Sequence, residues 1–117
     1  MDANITIYHN PRCSKSRQTL QLLREQGVEP NIIEYLKTPP DESTLAGILD
    51  QLGISAHELT RTGESLYKEL GLDQDSPDEA QMLRLLVENP KLIERPIVVT
   101  PRGAAIGRPP ENVLKLL

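Results

Sequence analysis

Phenylalanine and tryptophan are missing from this 117-residue chain, and tyrosine occurs only three times. The interior must therefore be built from aliphatic side chains, and eighteen leucines supply them. Cysteine occurs once and histidine twice. No internal disulfide can staple the fold, and no His/Cys spacing supports a zinc site or any other bound metal. One unpaired thiol fits a reducing cytoplasm. Positive charge is scarce too: the formal net charge is −4 and the pI is near 5.2. That balance argues against a nucleic-acid or anionic-membrane surface. No apolar run approaches the roughly 20 residues of a membrane span. The start Met1-Asp2-Ala3-Asn4 lacks the basic opening and apolar stretch of a signal peptide. What is present, 38% hydrophobic and 26% charged residues, is the balance of one globular domain over residues 1–117.

The pattern along the chain is βαβ, then helices, then ββα. Residues 4–9 alternate as a strand, 14–26 read as a helix with Leu20 and Leu23 on one face and Leu22 beside them, and 31–36 form a second strand. Parallel pairing through a right-handed crossover follows. Thr38-Pro39-Pro40-Asp41 opens a helix with Leu45, Ile48, Leu49 and Leu52 at i, i+3, i+4 and i+7, closed by Gly53. Residues 55–59 and 64–70 read as short helices on either side of a loop at 60–63. Ser76-Pro77-Asp78-Glu79 reads as a capping box with proline at the first helical position, starting a helix that carries Leu83, Leu86 and Val87. Residues 96–100 and 104–107 flank the Pro101-Arg102-Gly103 turn as a hairpin. A last helix presents Val113, Leu114 and Leu117. The helical insertion between the second and third strands spans approximately 39–92.

Chemistry concentrates where the first strand meets the first helix, at Asn10-Pro11-Arg12-Cys13-Ser14-Lys15-Ser16. A thiol at a helix N-terminus faces unpaired N–H groups and the positive end of the helix dipole, and both favour thiolate. A buried lone cysteine is the bland alternative, but Pro, Arg, Ser and Lys are not core neighbours. Ser16, one helical turn on, can donate a hydrogen bond to sulfur. His9 either lowers the Cys13 pKa or ends the strand with a local bond. Arg12 adjoins the thiol, Arg95 precedes Pro96 at the third strand, Arg108 follows the fourth, and Arg61 lies in the insertion. Guanidinium forks and a helix N-terminus both bind tetrahedral oxyanions. Arg17, Arg24, Arg84, Arg102 and His57 read as surface residues.

This layout resembles a thioredoxin/glutaredoxin-like α/β domain with a mixed sheet, in which Cys13-Ser14-Lys15-Ser16 stands where a Cys-x-x-Cys pair is common. Such domains place a cis proline opposite the cysteine, a position that falls at Pro96. Without a second thiol, a Cys13 adduct must be released by an outside thiol. Three segments carry a closer resemblance: residues 8–17 (Tyr8-His9-Asn10-Pro11-Arg12-Cys13-Ser14-Lys15-Ser16-Arg17), 34–40 (Glu34-Tyr35-Leu36-Lys37-Thr38-Pro39-Pro40) and 94–99 (Glu94-Arg95-Pro96-Ile97-Val98-Val99). They are similar to the glutaredoxin-coupled arsenate reductase family over almost the whole chain.

The resemblance implies a cytoplasmic oxidoreductase that reduces arsenate to arsenite. Cys13 would be the nucleophile, and Arg61, Arg95 and Arg108 would bind the oxyanion with Arg12 nearby. His9 and Ser16 would tune the thiol. The adduct would be resolved by glutathione, as external reductant, and by glutaredoxin, with no bound cofactor. Arg12 and Ser14-Lys15-Ser16 depart from the small residues of the best-characterised members. The alternatives are a glutathione-dependent reductase or transferase acting on another substrate, and an Spx-type regulator that binds RNA polymerase. The regulators usually carry the Cys-x-x-Cys pair that Ser16 removes here.

Overall fold

The computed structural model describes residues 2–117. The chain divides into two compact units, Met1–Thr38 with Arg95–Leu117, and Pro39–Glu94.

In the first unit, strand β1 (Asp2–His9), helix α1 (Ser14–Glu25) and strand β2 (Pro30–Glu34) form the βαβ element, and the later β3 (Ile97–Thr100) and β4 (Gly103–Ile106) form the hairpin. The sheet order is β2-β1-β3-β4, parallel between β1 and β2 and antiparallel across the other two pairs. Register lines up Ile7 with Val98, and Val98 with Ala105. This aliphatic row packs with Leu20, Leu23, Val113 and Leu116 into one core cluster. The expected rarity of aromatic packing is met by branched side chains interdigitating instead.

Strand β2 stops at Glu34 rather than continuing to Leu36, because the amides of Lys37 and Thr38 both turn back onto the Glu34 carbonyl (2.9 Å each). The last segment differs more. Pro110–Leu116 is a 3-10 helix, not an α-helix, and buries Pro110, Val113 and Leu116. At three residues per turn, positions i and i+3 eclipse, so Leu116 takes the inward place that an α-helical reading gives Leu114 and Leu117. Leu114 is left exposed.

The second unit holds α2 (Glu42–Leu52), α3 (Ser65–Glu69) and α4 (Glu79–Glu88), with a 3-10 turn at Pro90–Leu92. Asp41 caps α2 by accepting from the Thr44 amide at 2.7 Å, and Gly53 ends it in the left-handed conformation at φ 70°. A side chain would strain that φ. The capping box of α4 sits two residues later than the sequence suggests, between Asp78 and Gln81 rather than Ser76 and Glu79. Pro77 biases Ser76 towards extended backbone, and Asp78 is an equally good cap. Met82 and Leu86 are its buried positions; Leu83 and Val87 are only partly covered.

Residues 55–59 make a hydrogen-bonded turn rather than a short helix. Ser55 and Glu58 do cap each other reciprocally (3.0 and 3.1 Å). The chain then leaves to form an isolated bridge between Thr60 and Ile93, with Glu94 N–H donating to the Leu59 carbonyl at 2.8 Å. That pairing competes with helical bonds for the same backbone groups. Among the described residues, no helix is long and apolar enough to cross a membrane.

The register of the last segment is testable. Leu116→Ala is expected to cost roughly 2–5 kcal/mol in urea unfolding, and Leu114→Ala less than about 0.5 kcal/mol. Equal losses would restore the α-helical reading.

Candidate active site

The loop that delivers Cys13 is fixed by its own polar groups. Asn10 Oδ1 accepts from the Arg12 amide at 3.0 Å, an Asx turn, and the Asn10 carbonyl accepts from the Cys13 amide at 3.0 Å. Arg17, read from sequence as a surface residue, donates from Nη1 to the Pro11 carbonyl at 2.9 Å and holds the loop from the helix side. Cys13 then becomes the N-cap of α1, with extended backbone (φ −92°, ψ 123°) and its carbonyl accepting from Arg17 N–H. No acidic residue occupies the first turn of α1, so nothing there opposes an anion.

Cys13 is only 8% exposed. Burial pushes its thiol pKa up, but the Ser16 amide, the Arg95 guanidinium and the Lys15 amide outweigh burial and leave it below the ordinary thiol value. Arg108 joins them, with Nη2 3.6 Å from Sγ, within hydrogen-bond reach for sulfur. Its Nε donates to the Arg95 carbonyl at 2.8 Å, so each arginine helps set the place of the other. Both reach the sulfur from the hairpin: Arg95 lies two residues before β3 and Arg108 two after β4. The Arg95–Pro96 bond is cis, and so is Arg108–Pro109.

His9 and Ser16 are brought together, though in a different arrangement from a hydroxyl aimed at sulfur. His9 Nδ1 and Ser16 Oγ are 2.6 Å apart, and the same oxygen accepts from the Asn10 amide at 3.0 Å. Ser16 therefore reaches Cys13 through its backbone N–H, while its hydroxyl binds the strand end. Burial lowers the His9 pKa; Glu34 opposes this, and Arg24 and Arg17 add to it. A neutral imidazole at neutral pH follows, so His9 contributes position and hydrogen bonding rather than a fixed positive charge.

The remaining two arginines are described by the neighbours within their own units. Arg12 is exposed and lines a cleft with His9, Glu34 and Lys37. Arg61 belongs to the Pro39–Glu94 unit, where its guanidinium pairs with Glu64 at 3.4 Å and approaches Glu94 at 3.8 Å. Among the described residues, no group of three or more His, Cys, Asp or Glu side chains is placed to hold a metal ion.

Two positions that sequence reasoning passed over pack beneath the site. A Cβ on Gly107 would lie 2.8 Å from Pro96 Cγ and would overlap Thr19 Oγ1. Thr19 is fully buried in α1 and donates to the Lys15 carbonyl at 2.8 Å. The Gly107 amide donates to the Pro96 carbonyl at 2.9 Å. Helix, cis-proline loop and β4 thus meet where only a hydrogen fits. A glycine before an Arg-Pro pair at a strand end was the available signal.

A mixed four-stranded sheet of this topology, with a lone cysteine at the N-cap position of the first helix and a cis proline beside its arginine, defines a thioredoxin-like α/β protein of the single-cysteine kind. Residues 8–116 match the ArsC family, and the chain belongs to that family. It is 49% identical over 114 residues to the arsenate reductase of Neisseria meningitidis serogroup A, covering 97% of each chain. The solved arsenate reductase from Vibrio cholerae superposes with a TM-score of 0.93 at 46% identity, over 100% of both chains. It is also 55% identical over 118 residues to the uncharacterized protein YfgD of Escherichia coli (strain K12), covering 100% of this chain and 99% of that one.

Two measurements follow. Gly107→Ala should lower stability by about 1–3 kcal/mol through overpacking, read in a urea melt; an unmoved midpoint would mean Thr19 and Pro96 are not in contact there. Iodoacetamide alkylation of Cys13 should switch on with rising pH at a midpoint below the roughly 8.5 of a free thiol. Arg95→Ala should move that midpoint upward. The same depression means that the thiolate's contribution to stability is present at high pH and fades as pH falls through the folded-state value. A midpoint at or above the free-thiol value would remove the electrostatic account.

Proposed function

We propose that this chain reduces arsenate to arsenite, with Cys13 as the nucleophile. The observation that supports it most is the buried sulfur held below its ordinary pKa beside two guanidinium groups and the first-turn amides of α1. A tetrahedral dianion can exchange its water for those same donors. Each charge-assisted contact is worth roughly 1.5–3 kcal/mol, although such gains do not simply add. The Cys13 thiolate attacks arsenic, a sulfur–arsenic bond forms, and one arsenate oxygen leaves as water after taking up protons. Arg95 and Arg108 draw off the negative charge during that step.

The second half needs thiols from outside, since the chain has one cysteine. Glutathione thiolate attacks the Cys13 sulfur, the S–S bond forms, and the sulfur–arsenic electron pair falls onto arsenic, which goes from As(V) to As(III). Glutaredoxin thiolate then attacks the glutathione sulfur and frees the Cys13 thiolate. Two thiols are oxidised to one disulfide for each arsenate reduced. Phosphate shares the shape and charge of arsenate but does not accept the electron pair, so chemistry separates the two where binding does not. Arg61 is the third oxyanion-binding arginine in this reading.

The decisive test is a steady-state assay with arsenate, glutathione and glutaredoxin, each omitted in turn. Arsenite should form only in the complete mixture, and Cys13→Ser should reduce turnover to background while the protein keeps its melting profile. Arsenate left unreduced in the complete mixture, or activity surviving in Cys13→Ser, would overturn the proposal.

A further inference from the structure

Helix α1 turns Ser16, Thr19, Leu20 and Leu23 inward. Thr19 is fully buried, and a hydroxyl in such a place costs free energy unless it is hydrogen-bonded. Its one hydroxyl proton faces two carbonyls, that of Lys15 at 2.8 Å and that of Gly107 at 3.4 Å. Threonine within a helix commonly donates to the carbonyl four residues back. A second acceptor 88 residues along the chain is not explained by that habit.

What Thr19 holds matters because a peptide unit is planar and trans. The Lys15 carbonyl and the Ser16 N–H belong to one such unit and point in opposite directions, so a bond that fixes the oxygen also fixes the N–H. Against burial, that Ser16 N–H is the foremost of the groups holding the Cys13 sulfur as thiolate. The sulfur closes no complete cap bond to α1, so the interaction is electrostatic and varies with the tilt of the N–H. A donor on the carbonyl also polarises the unit and strengthens its N–H. On the other side, the Gly107 carbonyl belongs to the peptide unit leading into Arg108, whose Nη2 is 3.6 Å from the same sulfur. Glycine is what lets the two elements meet, since a Cβ there would overlap Thr19 Oγ1.

We propose that Thr19 is a positioning residue for Cys13: its hydroxyl sets the Lys15–Ser16 peptide unit beside the sulfur and ties that unit to the hairpin that carries Arg108. Donors from helix and hairpin are thereby kept in one frame, as preorganised electrostatic stabilisation requires. Thr19 acts through the Lys15 and Gly107 carbonyls, not through the reacting atoms. The inference rests on the reading of Cys13 as the nucleophile and is independent of which electrophile the thiolate meets.

The test is the pH dependence of iodoacetamide alkylation, without arsenate, in Thr19→Val, Thr19→Ala and Thr19→Ser. Valine removes the donor and keeps the bulk. Alanine removes it without pressing a methyl against the Lys15 carbonyl, and serine keeps it. The alkylation midpoint should rise by roughly half a pH unit in Thr19→Val and Thr19→Ala, the scale of weakening one hydrogen bond to a charged group. Thr19→Ser should keep the wild-type midpoint even where urea unfolding shows that its lost methyl has lowered stability, which separates positioning from packing. Should the valine variant fail to fold, the alanine and serine variants decide. A midpoint unmoved in the variants without the donor, or moved equally in all three, would overturn the proposal. A wild-type midpoint at the free-thiol value would overturn this inference and the reading beneath it together; a depressed wild-type midpoint indifferent to Thr19 overturns this inference alone.

Discussion

A sulfur anion placed almost out of water has to be answered by charge brought to it. Burial alone pushes the Cys13 thiol up, and the amides of Ser16 and Lys15 with the Arg95 guanidinium reverse that push. The amides come from the local geometry of α1, whose first turn leaves its N–H groups without intrahelical partners. The guanidinium groups come from some eighty to ninety-five residues further along the sequence. The β3–β4 hairpin exists, from the standpoint of the site, to carry Arg95 and Arg108 back to that first turn.

The coupling between those parts is short and rigid. Arg108 Nε holds the Arg95 carbonyl, and the Gly107 amide holds the Pro96 carbonyl. The absent Cβ of Gly107 lets Thr19 and Pro96 close up beneath. Preorganised donors are most effective when they need not be rearranged at the moment of reaction. His9 supports the same frame from below: neutral and buried, it ties the end of β1 to Ser16 in α1. Its service is to orientation, and the positive charge at the site is carried by arginine.

Much of this was legible in the sequence because it rests on short-range rules. The βαβ start, the hairpin, the Gly53 stop and Cys13 at the head of α1 all follow from periodicity, turn residues and caps. Arg95 and Arg108 were legible as candidates because they flank the hairpin strands. The misread parts are those decided by distant partners or by a change of period. Residues 55–59 carry a genuine reciprocal cap but are drawn off by pairing at Ile93, which no local pattern announces. Leu114 and Leu116 trade places because a 3-10 turn repeats every three residues. Ser16 was expected to act through its hydroxyl; that oxygen is engaged by His9 and Asn10, and tautomer-dependent contacts across seven residues leave no mark on spacing. Spacing is equally silent on the partners of each guanidinium: Arg61 pairs with Glu64 and Glu94, and Arg108 with the Arg95 carbonyl.

The solitary sulfur also fixes how the protein stands towards its surroundings. A dithiol can shuttle between open and closed forms on its own account, storing an electron pair within one chain. With a single thiol, every disulfide it forms is a bond to some other molecule, so its disulfide content mirrors the ratio of reduced to oxidised partners around it. Such a chain keeps no private reserve of reducing power within its own sequence.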